Sequence, residues 1–114
     1  MGLVSGAKIG DYLMTETDIQ NLIRIELSKR GVVLRLNVGN FTTQDGRHIS
    51  SGLPNGTPDL LFLGPDNNVA FIEVKTPIGQ VREDQKKFMA RMNELGIKAG
   101  VARCVKDAIS IVEG

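Results

Sequence analysis

The first regular pattern in the chain lies at 15–31, where Ile19, Ile23 and Leu27 recur at helical spacing. Thr15 is a suitable N-cap because its hydroxyl can accept a hydrogen bond from a backbone N–H of the first turn. Acidic residues occupy the first turn and basic residues the last, as the helix dipole favours, and a glycine follows. These residues are Glu16 and Asp18, Lys29 and Arg30, and Gly31. The pattern predicts a helix.

A second helical pattern covers 79–96, with two acids in its first turn and Gly96 as its stop. Its apolar stripe contains one polar residue, Gln85, at a position where an apolar side chain is expected. The stripe consists of Val81, Gln85, Phe88, Met92 and Leu95, and the two acids are Glu83 and Asp84. A polar residue on the inward side of a helix predicts a polar pocket beneath it.

Apolar runs bounded by turn formers predict the strands. Between the first and second strands lies a long polar connection that contains a hairpin signal at Asp45 and Gly46, and connections of that length are often functional. We expect it to border a site. The predicted segments are strand 32–39, connection 40–57, two strands within 58–75 joined by the turn 64–68, strand 97–105 and helix 106–114. Cys104 is predicted to be a small apolar residue of the last strand.

This order of elements, α-β-(loop or hairpin)-β-β-α-β-α, predicts an α/β fold with a mixed sheet flanked by helices. The 114 residues, 41% hydrophobic and 24% charged, fit one domain at 15–114 behind an N-terminal extension at 1–14. We expect a cytoplasmic protein that is not secreted, because the sequence shows no signal-like or membrane-spanning segment. The net charge of +1 gives no overall basic signature, so nucleic-acid binding requires a local patch or a second subunit.

Charged residues end the two apolar strands of 58–75. With residues 64–68 as the turn, the antiparallel register places Asp59 opposite Glu73. Lys75 lies two residues beyond Glu73 and projects from the same face of the sheet. A turn one residue longer or shorter would make the two acids diagonal neighbours, still within reach of a shared ion.

Two neighbouring carboxylates on a half-buried surface are costly unless a cation or a proton compensates them. Carboxylates without histidine or cysteine suit a hard cation such as Mg²⁺ or Mn²⁺. In the alternative interpretation, Asp59 caps a strand, and Glu73 and Lys75 are strand-end charges in solvent. Glu16 continues the apolar stripe of the first helix and is a third candidate acid, with Glu26 as its rival unless Glu26 pairs with neighbouring bases.

The residues quoted so far resemble a known pattern. "PD" at 58–59, fourteen positions before "EVK" at 73–75, is similar to the motif of the PD-(D/E)xK nuclease superfamily. Over about 15–112, the chain closely resembles the stand-alone VRR-NUC (virus-type replication-repair nuclease) domains of phages and bacteria. The segments that carry this resemblance are "TETDIQNLIRIELSKRG", "RLNVGNF", "GLPNGTPDLLFL", "FIEVKTPIGQVREDQKKF" and "GIKAGVARCVKDA".

The resemblance implies a restriction-endonuclease-like core that cleaves DNA phosphodiesters with Mg²⁺ or Mn²⁺ and no small-molecule cofactor. It assigns metal binding to Asp59, Glu73 and the Val74 carbonyl, with Glu16 acting through water. Lys75 would orient the attacking water or neutralise the phosphate, and Gln85 would position Lys75 or the water. The implied catalytic set is Glu16, Asp59, Glu73, Lys75 and Gln85. It favours branched DNA such as four-way (Holliday) junctions in phage or bacterial replication, repair or recombination, over a sequence-specific target.

DNA contacts are predicted on the long connection and on the second helix. The candidates are Arg35, Asn37, Arg47, His48, Ser51, Lys87 and Arg91, with Lys86 beside them. The helix residues are also readily explained as ordinary solvated charges, and His48 is interpreted as a loop or DNA-contact residue rather than a metal ligand. A small near-neutral domain makes few phosphate contacts, so a homodimer is expected. Two alternatives remain open: a nuclease of less selective substrate range, and a nucleic-acid-binding module with a structural metal and no turnover.

Overall fold

The computed structural model describes residues 8–9 and 12–114 of the chain. Within the predicted N-terminal extension, two short strands pair antiparallel, β1 (Lys8–Ile9) and β2 (Tyr12–Leu13). The rest of that extension up to position 11 lies outside the described residues. The division of the chain into an extension and a domain beginning at residue 15 stays a prediction.

Three helices and six further strands follow. The helices are α1 (Glu16–Ser28), α2 (Glu83–Glu94) and α3 (Val105–Glu113). The strands are β3 (Val32–Arg35), β4 (Asn40–Thr42), β5 (His48–Ser50), β6 (Leu60–Gly64), β7 (Asn68–Val74) and β8 (Lys98–Ala102). Strands β4 and β5 form a hairpin within the long connection, which confirms the hairpin predicted there.

The central sheet has the order β3-β6-β7-β8. β6 runs antiparallel to both of its neighbours, β3 and β7, whereas β7 and β8 are parallel because α2 carries the chain back across the sheet. The sheet is therefore mixed. Helices α1 and α3 pack together on one face, and α2 packs on the other through Phe88, whose ring lies 5.3 Å from that of Phe71. The predicted α/β class with a mixed sheet flanked by helices is confirmed.

The predicted helix ends need correction. The N-terminus of α1 is as expected: the Thr15 hydroxyl accepts the Asp18 N–H at 3.1 Å, and the Asp18 carboxylate accepts the Thr15 N–H at 2.9 Å. The helix ends at Ser28, so Lys29 is its C-cap and Arg30 lies beyond it, not in the last turn. The N–H groups of Lys29 and Arg30 bond to carbonyls three residues back, which ends the helix two residues earlier than predicted.

Helix α2 begins at Glu83 rather than 79. The residues before it form a tight turn, in which the Gly79 N–H bonds to the Thr76 carbonyl at 3.0 Å, and Arg82 has extended backbone angles as the N-cap. The buried positions of the helix are Gln85 and Met89, whereas Leu95, predicted on the stripe, is 54% exposed at the C-cap.

Two predicted strands also extend too far. β3 stops at Arg35 instead of reaching 39, and β8 stops at Ala102 instead of 105. The Asp107 carboxylate accepts the Arg103 N–H at 2.9 Å and turns the chain into α3. Cys104 is consequently the exposed N-cap of α3 and not a strand residue.

Alternation along β7 separates the core from the site. Ala70, Ile72 and Val74 are fully buried in one apolar cluster with α1 and α3. The intervening side chains project from the opposite face, towards the side of α2. Glu73 is one of them, and Lys75 continues the alternation just past the strand. Packing of the core thus fixes the positions of Glu73 and Lys75 and the spacing between them.

Candidate active site

The register of the β6–β7 hairpin brings the two acids together. Leu63 pairs with Val69, as predicted, and the ladder runs without a bulge to the pair Leu60 and Ile72. The next position along that register holds Asp59 and Glu73. The Asp59 carboxylate also accepts the Val74 N–H at 2.8 Å, so backbone hydrogen bonding fixes its orientation.

A third acid joins this pair from the start of α1. Glu16, Asp59 and Glu73 each offer an oxygen atom, and these oxygens lie within 4.8 Å of one another. Glu16 is exposed, Asp59 is half-buried and Glu73 is buried, so the cluster runs from solvent to the interior. Glu26 is not part of it, because it pairs with Lys29 at 3.2 Å and with Arg30 at 3.8 Å. Of the two rival glutamates, Glu16 therefore faces the cluster.

Glu73 is the buried member of the cluster, and its carboxyl group is perturbed by that burial. The residue is 2% exposed, and burial raises the pKa of its carboxyl to about 7, assisted by the neighbouring charge of Asp59 and opposed by Lys75. One oxygen, Oε2, lies 3.5 Å from the Lys75 ammonium. The other, Oε1, is buried and has no hydrogen-bond partner among the described residues. A buried acceptor without a donor is costly, and a bound proton or cation would satisfy it.

The segment after Lys75 is tied to the end of β8. The Lys75 N–H donates to the Ala102 carbonyl at 3.1 Å. The guanidinium of Arg103 then bonds to two carbonyls of the following turn, Thr76 at 2.5 Å and Gly79 at 2.9 Å. Because this turn connects Lys75 to α2, Arg103 limits how far the strand end and the helix can move relative to each other.

Gln85 enters the site from the first turn of α2. It is buried, and its side-chain oxygen accepts the Arg82 N–H at 3.0 Å, which fixes the amide group. The chain just before Asp59 packs against the same turn: a Cβ on Gly56 would lie 2.3 Å from the Asp84 carbonyl, and Gly56 has a φ of +89°. Only glycine meets both requirements. This contact holds the start of α2 against the loop that leads to the acids.

These side chains share one cavity of about 320 Å³. The proposed residues Glu16, Asp59, Glu73, Lys75 and Gln85 all line it, together with Leu36, Val38, Thr57 and Arg82. Thr57 ends the long connection, which was expected to border the site. Arg82 is the functional candidate that the sequence analysis missed. Gln85 lies three residues after Arg82, the spacing at which a side chain can accept the N–H of an N-cap residue. That spacing was the available signal that Arg82 lies beside Gln85 at the start of α2.

The predicted DNA-contact residues lie outside this cavity. Arg35 and Asn37 are exposed near the end of β3, and Lys87 and Arg91 are exposed on α2. On the hairpin, Arg47 pairs with Asp45 at 3.1 Å and His48 contacts the Thr42 hydroxyl at 3.3 Å. The Ser51 hydroxyl accepts the backbone N–H groups of Gly39 and Leu53, so it also has a structural role. Their DNA contacts stay predictions.

The donor set fits a hard divalent cation. Three carboxylates converge, one of their oxygens is buried without a donor, and no histidine or cysteine lines the cavity among the described residues. Asp59, Glu73 and Glu16 are the side chains that would hold such an ion. The Val74 carbonyl, at the end of β7, stays a predicted ligand.

A mixed sheet that carries Asp59 and the Glu73-Val74-Lys75 motif at the ends of its two central strands is the arrangement of a PD-(D/E)xK-type nuclease. The family model of the VRR-NUC domain matches residues 14–106, most of the chain, and the chain belongs to that family. VRR-NUC domains are nucleases of the PD-(D/E)xK type.

A solved structure described as a VRR_NUC domain has the same fold. It superposes with a TM-score of 0.62 at 23% sequence identity, covering 86% of this chain and 94% of that chain. No curated protein matches the sequence. None of the helices within residues 8–9 and 12–114 is long and apolar enough to cross a membrane.

Proposed function

We propose that the protein is a structure-selective DNA endonuclease that requires Mg²⁺ or Mn²⁺. The observation that carries this proposal is the convergence of Glu16, Asp59 and Glu73 on one cavity that Lys75 also lines. Three carboxylates that converge in this way are costly for the folded protein unless a cation neutralises them. The VRR-NUC family consists of nucleases, so a catalytic role for the ion agrees with the family.

Each side chain has a chemical role in this proposal. Asp59 and Glu73 would hold the ion, together with the Val74 carbonyl and with Glu16 through water. When bound, the ion supplies Lewis acidity for the scissile phosphate and lowers the pKa of water. Lys75 neutralises charge on the phosphate or orients the attacking water, which suits a compact ammonium beside an acid. Gln85 positions Lys75 or that water from α2. In-line attack then leaves a 5′-phosphate and a 3′-hydroxyl.

Branched DNA such as a four-way junction is the proposed substrate, in replication, repair or recombination of phage or bacterial DNA. Sequence-specific cleavage requires a surface that reads base edges in a groove. The elements described here are the catalytic sheet, its three helices and two small hairpins, which leaves little structure for such readout. A shape-selective enzyme instead relies on contacts with the DNA backbone. The exposed basic side chains of the β4–β5 hairpin and of α2 suit that purpose. Arg47, Lys87 and Arg91 are among them.

A panel of labelled DNAs tests this function. Wild-type protein is incubated with linear duplex, flap and four-way-junction DNA in Mg²⁺, in Mn²⁺ or in EDTA. We expect cutting of the junction at lower enzyme concentrations than the linear duplex, in both metals and not in EDTA. Equal cutting of all three DNAs would indicate a less selective nuclease. Binding of DNA without cleavage in either metal would instead support a binding module with a structural ion.

A homodimer is the proposed active species. The net charge of +1 limits the phosphate contacts of one copy, and a two-fold axis would present two sites to symmetric strands. Exposed apolar side chains also follow the free edge of the sheet: Ile25 on α1 is 62% exposed, and Val32 and Leu34 on β3 are 56% and 42% exposed. Sedimentation of the protein, alone and with junction DNA, is expected to give a dimer. A monomer under both conditions would contradict the dimer and leave the nuclease assignment standing.

A further inference from the structure

Arg82 is placed to contact substrate at the cavity of the three acids. It is the N-cap residue of α2, and its backbone N–H is held by the Gln85 side chain at 3.0 Å. Its side chain lines the same cavity as Glu16, Asp59 and Glu73, yet 63% of it is exposed to solvent. Arg82 thus combines a fixed backbone position with a solvent-exposed side chain.

The other cation of the cavity is already engaged. The Lys75 side chain is 11% exposed, and its ammonium lies 3.5 Å from Glu73. Incoming DNA brings negative charge towards a cluster of carboxylates, so a cation at the mouth of the cavity lowers the cost of approach. Among the described residues that line the cavity, Arg82 is the exposed cation. A guanidinium also matches phosphate geometry because it can donate two parallel hydrogen bonds.

The ion pair that Arg82 forms with Asp84 is weak enough to be exchanged. Its Nε lies 3.2 Å from the Asp84 carboxylate, and that side chain is 40% exposed. Ion pairs between exposed side chains contribute little to stability. In the absence of DNA, Asp84 therefore orients the guanidinium of Arg82 without holding it strongly. The Asp84 carboxylate also accepts the Gln85 N–H at 2.9 Å, a bond that an asparagine oxygen can replace.

We propose that Arg82 binds a phosphate of the DNA backbone at the mouth of the cavity, exchanging its pair with Asp84 for the phosphate. This inference rests on the proposed function, because it names the residue through which that site holds DNA. The remaining α2 cations Lys86, Lys87 and Arg91 do not line the cavity, so the effect is specific to Arg82.

Fluorescence anisotropy with labelled junction DNA, at several salt concentrations and with Ca²⁺ in place of Mg²⁺, tests the proposal. Arg82→Gln is expected to weaken binding roughly tenfold and to lower the salt slope by about one. Lys29→Gln is the matched control: Lys29 is an equally exposed, ion-paired lysine at the far end of α1. It removes the same charge, and binding should change less than about twofold because a surface charge far from the DNA is screened.

A second variant gives the opposite sign. Asp84→Asn keeps the oxygen that caps Gln85 but releases Arg82, so binding should tighten by about two- to fivefold, since a weak surface pair is removed. Thermal unfolding of each variant shows whether its fold is retained, and Arg82→Lys, which keeps the charge, should lose less than Arg82→Gln. If Arg82→Gln and Lys29→Gln have equal effects while the wild type binds and cleaves, this inference fails alone. If the wild type neither binds nor cleaves, the proposed function fails with it.

Discussion

Replacement of Asp59 by asparagine is expected to reduce DNA cleavage by at least roughly 10²–10³-fold, the scale observed when one preorganised electrostatic group is removed from a catalytic site. In the proposed site the charge of Asp59 would help to hold the ion, and asparagine lacks that charge. Its side-chain oxygen can still accept the Val74 N–H that Asp59 accepts at 2.8 Å. The fold should therefore remain, and the loss should appear in the rate constant for cleavage.

Single-turnover cleavage of labelled junction DNA measures this effect, with thermal unfolding as the check on folding. Glu26→Gln is the control, because Glu26 pairs with Lys29 and Arg30 away from the cavity. Cleavage by that variant should match the wild type. An Asp59→Asn protein that is folded and cuts at the wild-type rate would remove Asp59 from the site.

The second large effect concerns the stability of the metal-free protein as a function of pH. The carboxyl pKa of Glu73 is raised from its ordinary 4.5 to about 7 by burial and by Asp59. A raised carboxyl pKa stabilises the folded state fully below about 4.5, and this contribution is lost as the pH rises through about 7. The difference corresponds to roughly 3 kcal/mol of unfolding free energy at most. In EDTA, wild-type stability should fall between these pH values.

Glu73→Gln should remove most of this pH dependence, because the amide does not ionise. The difference between variant and wild type in the free energy of unfolding, measured by denaturant titration in EDTA, should grow from about pH 5 to about pH 8. Glu26→Gln, at a more exposed glutamate, should show no such trend. Added Mn²⁺ should stabilise the wild type more at the higher pH, because the ion binds the ionised carboxylates. If the free energy of unfolding of the wild type changed with pH in parallel to that of Glu73→Gln, the raised pKa of Glu73 would be contradicted.

Local patterns were sufficient to predict the hairpin and its acids. The register that pairs Leu63 with Val69 follows from turn length, and period-two alternation places Lys75 on the face of Glu73. Both are short-range properties of strands. Thr15 likewise marks the start of α1 through a bond to Asp18, a residue three positions away.

Element ends and long-range partners were not predictable in the same way. The turn before α2 depends on Arg103, which lies more than twenty residues further along the chain and binds the carbonyls of Thr76 and Gly79. The close approach of Gly56 to Asp84 is also tertiary. Helical spacing allowed both Glu16 and Glu26 to face inwards, and packing decided between them. Periodicity fixes which residues share a face, whereas packing decides what that face meets.

The proposed function requires that the carboxylate cluster bind a divalent ion and use it to hydrolyse DNA. The most direct measurement is a time course of junction cleavage in which Mn²⁺ is added to metal-free protein and then removed with EDTA, for the wild type and for Asp59→Asn. The wild type should begin to cut when Mn²⁺ is added and stop when it is removed, and Asp59→Asn should form no product over the same period. Product formation that continues in EDTA, or that proceeds equally with Asp59→Asn, would contradict the proposed function.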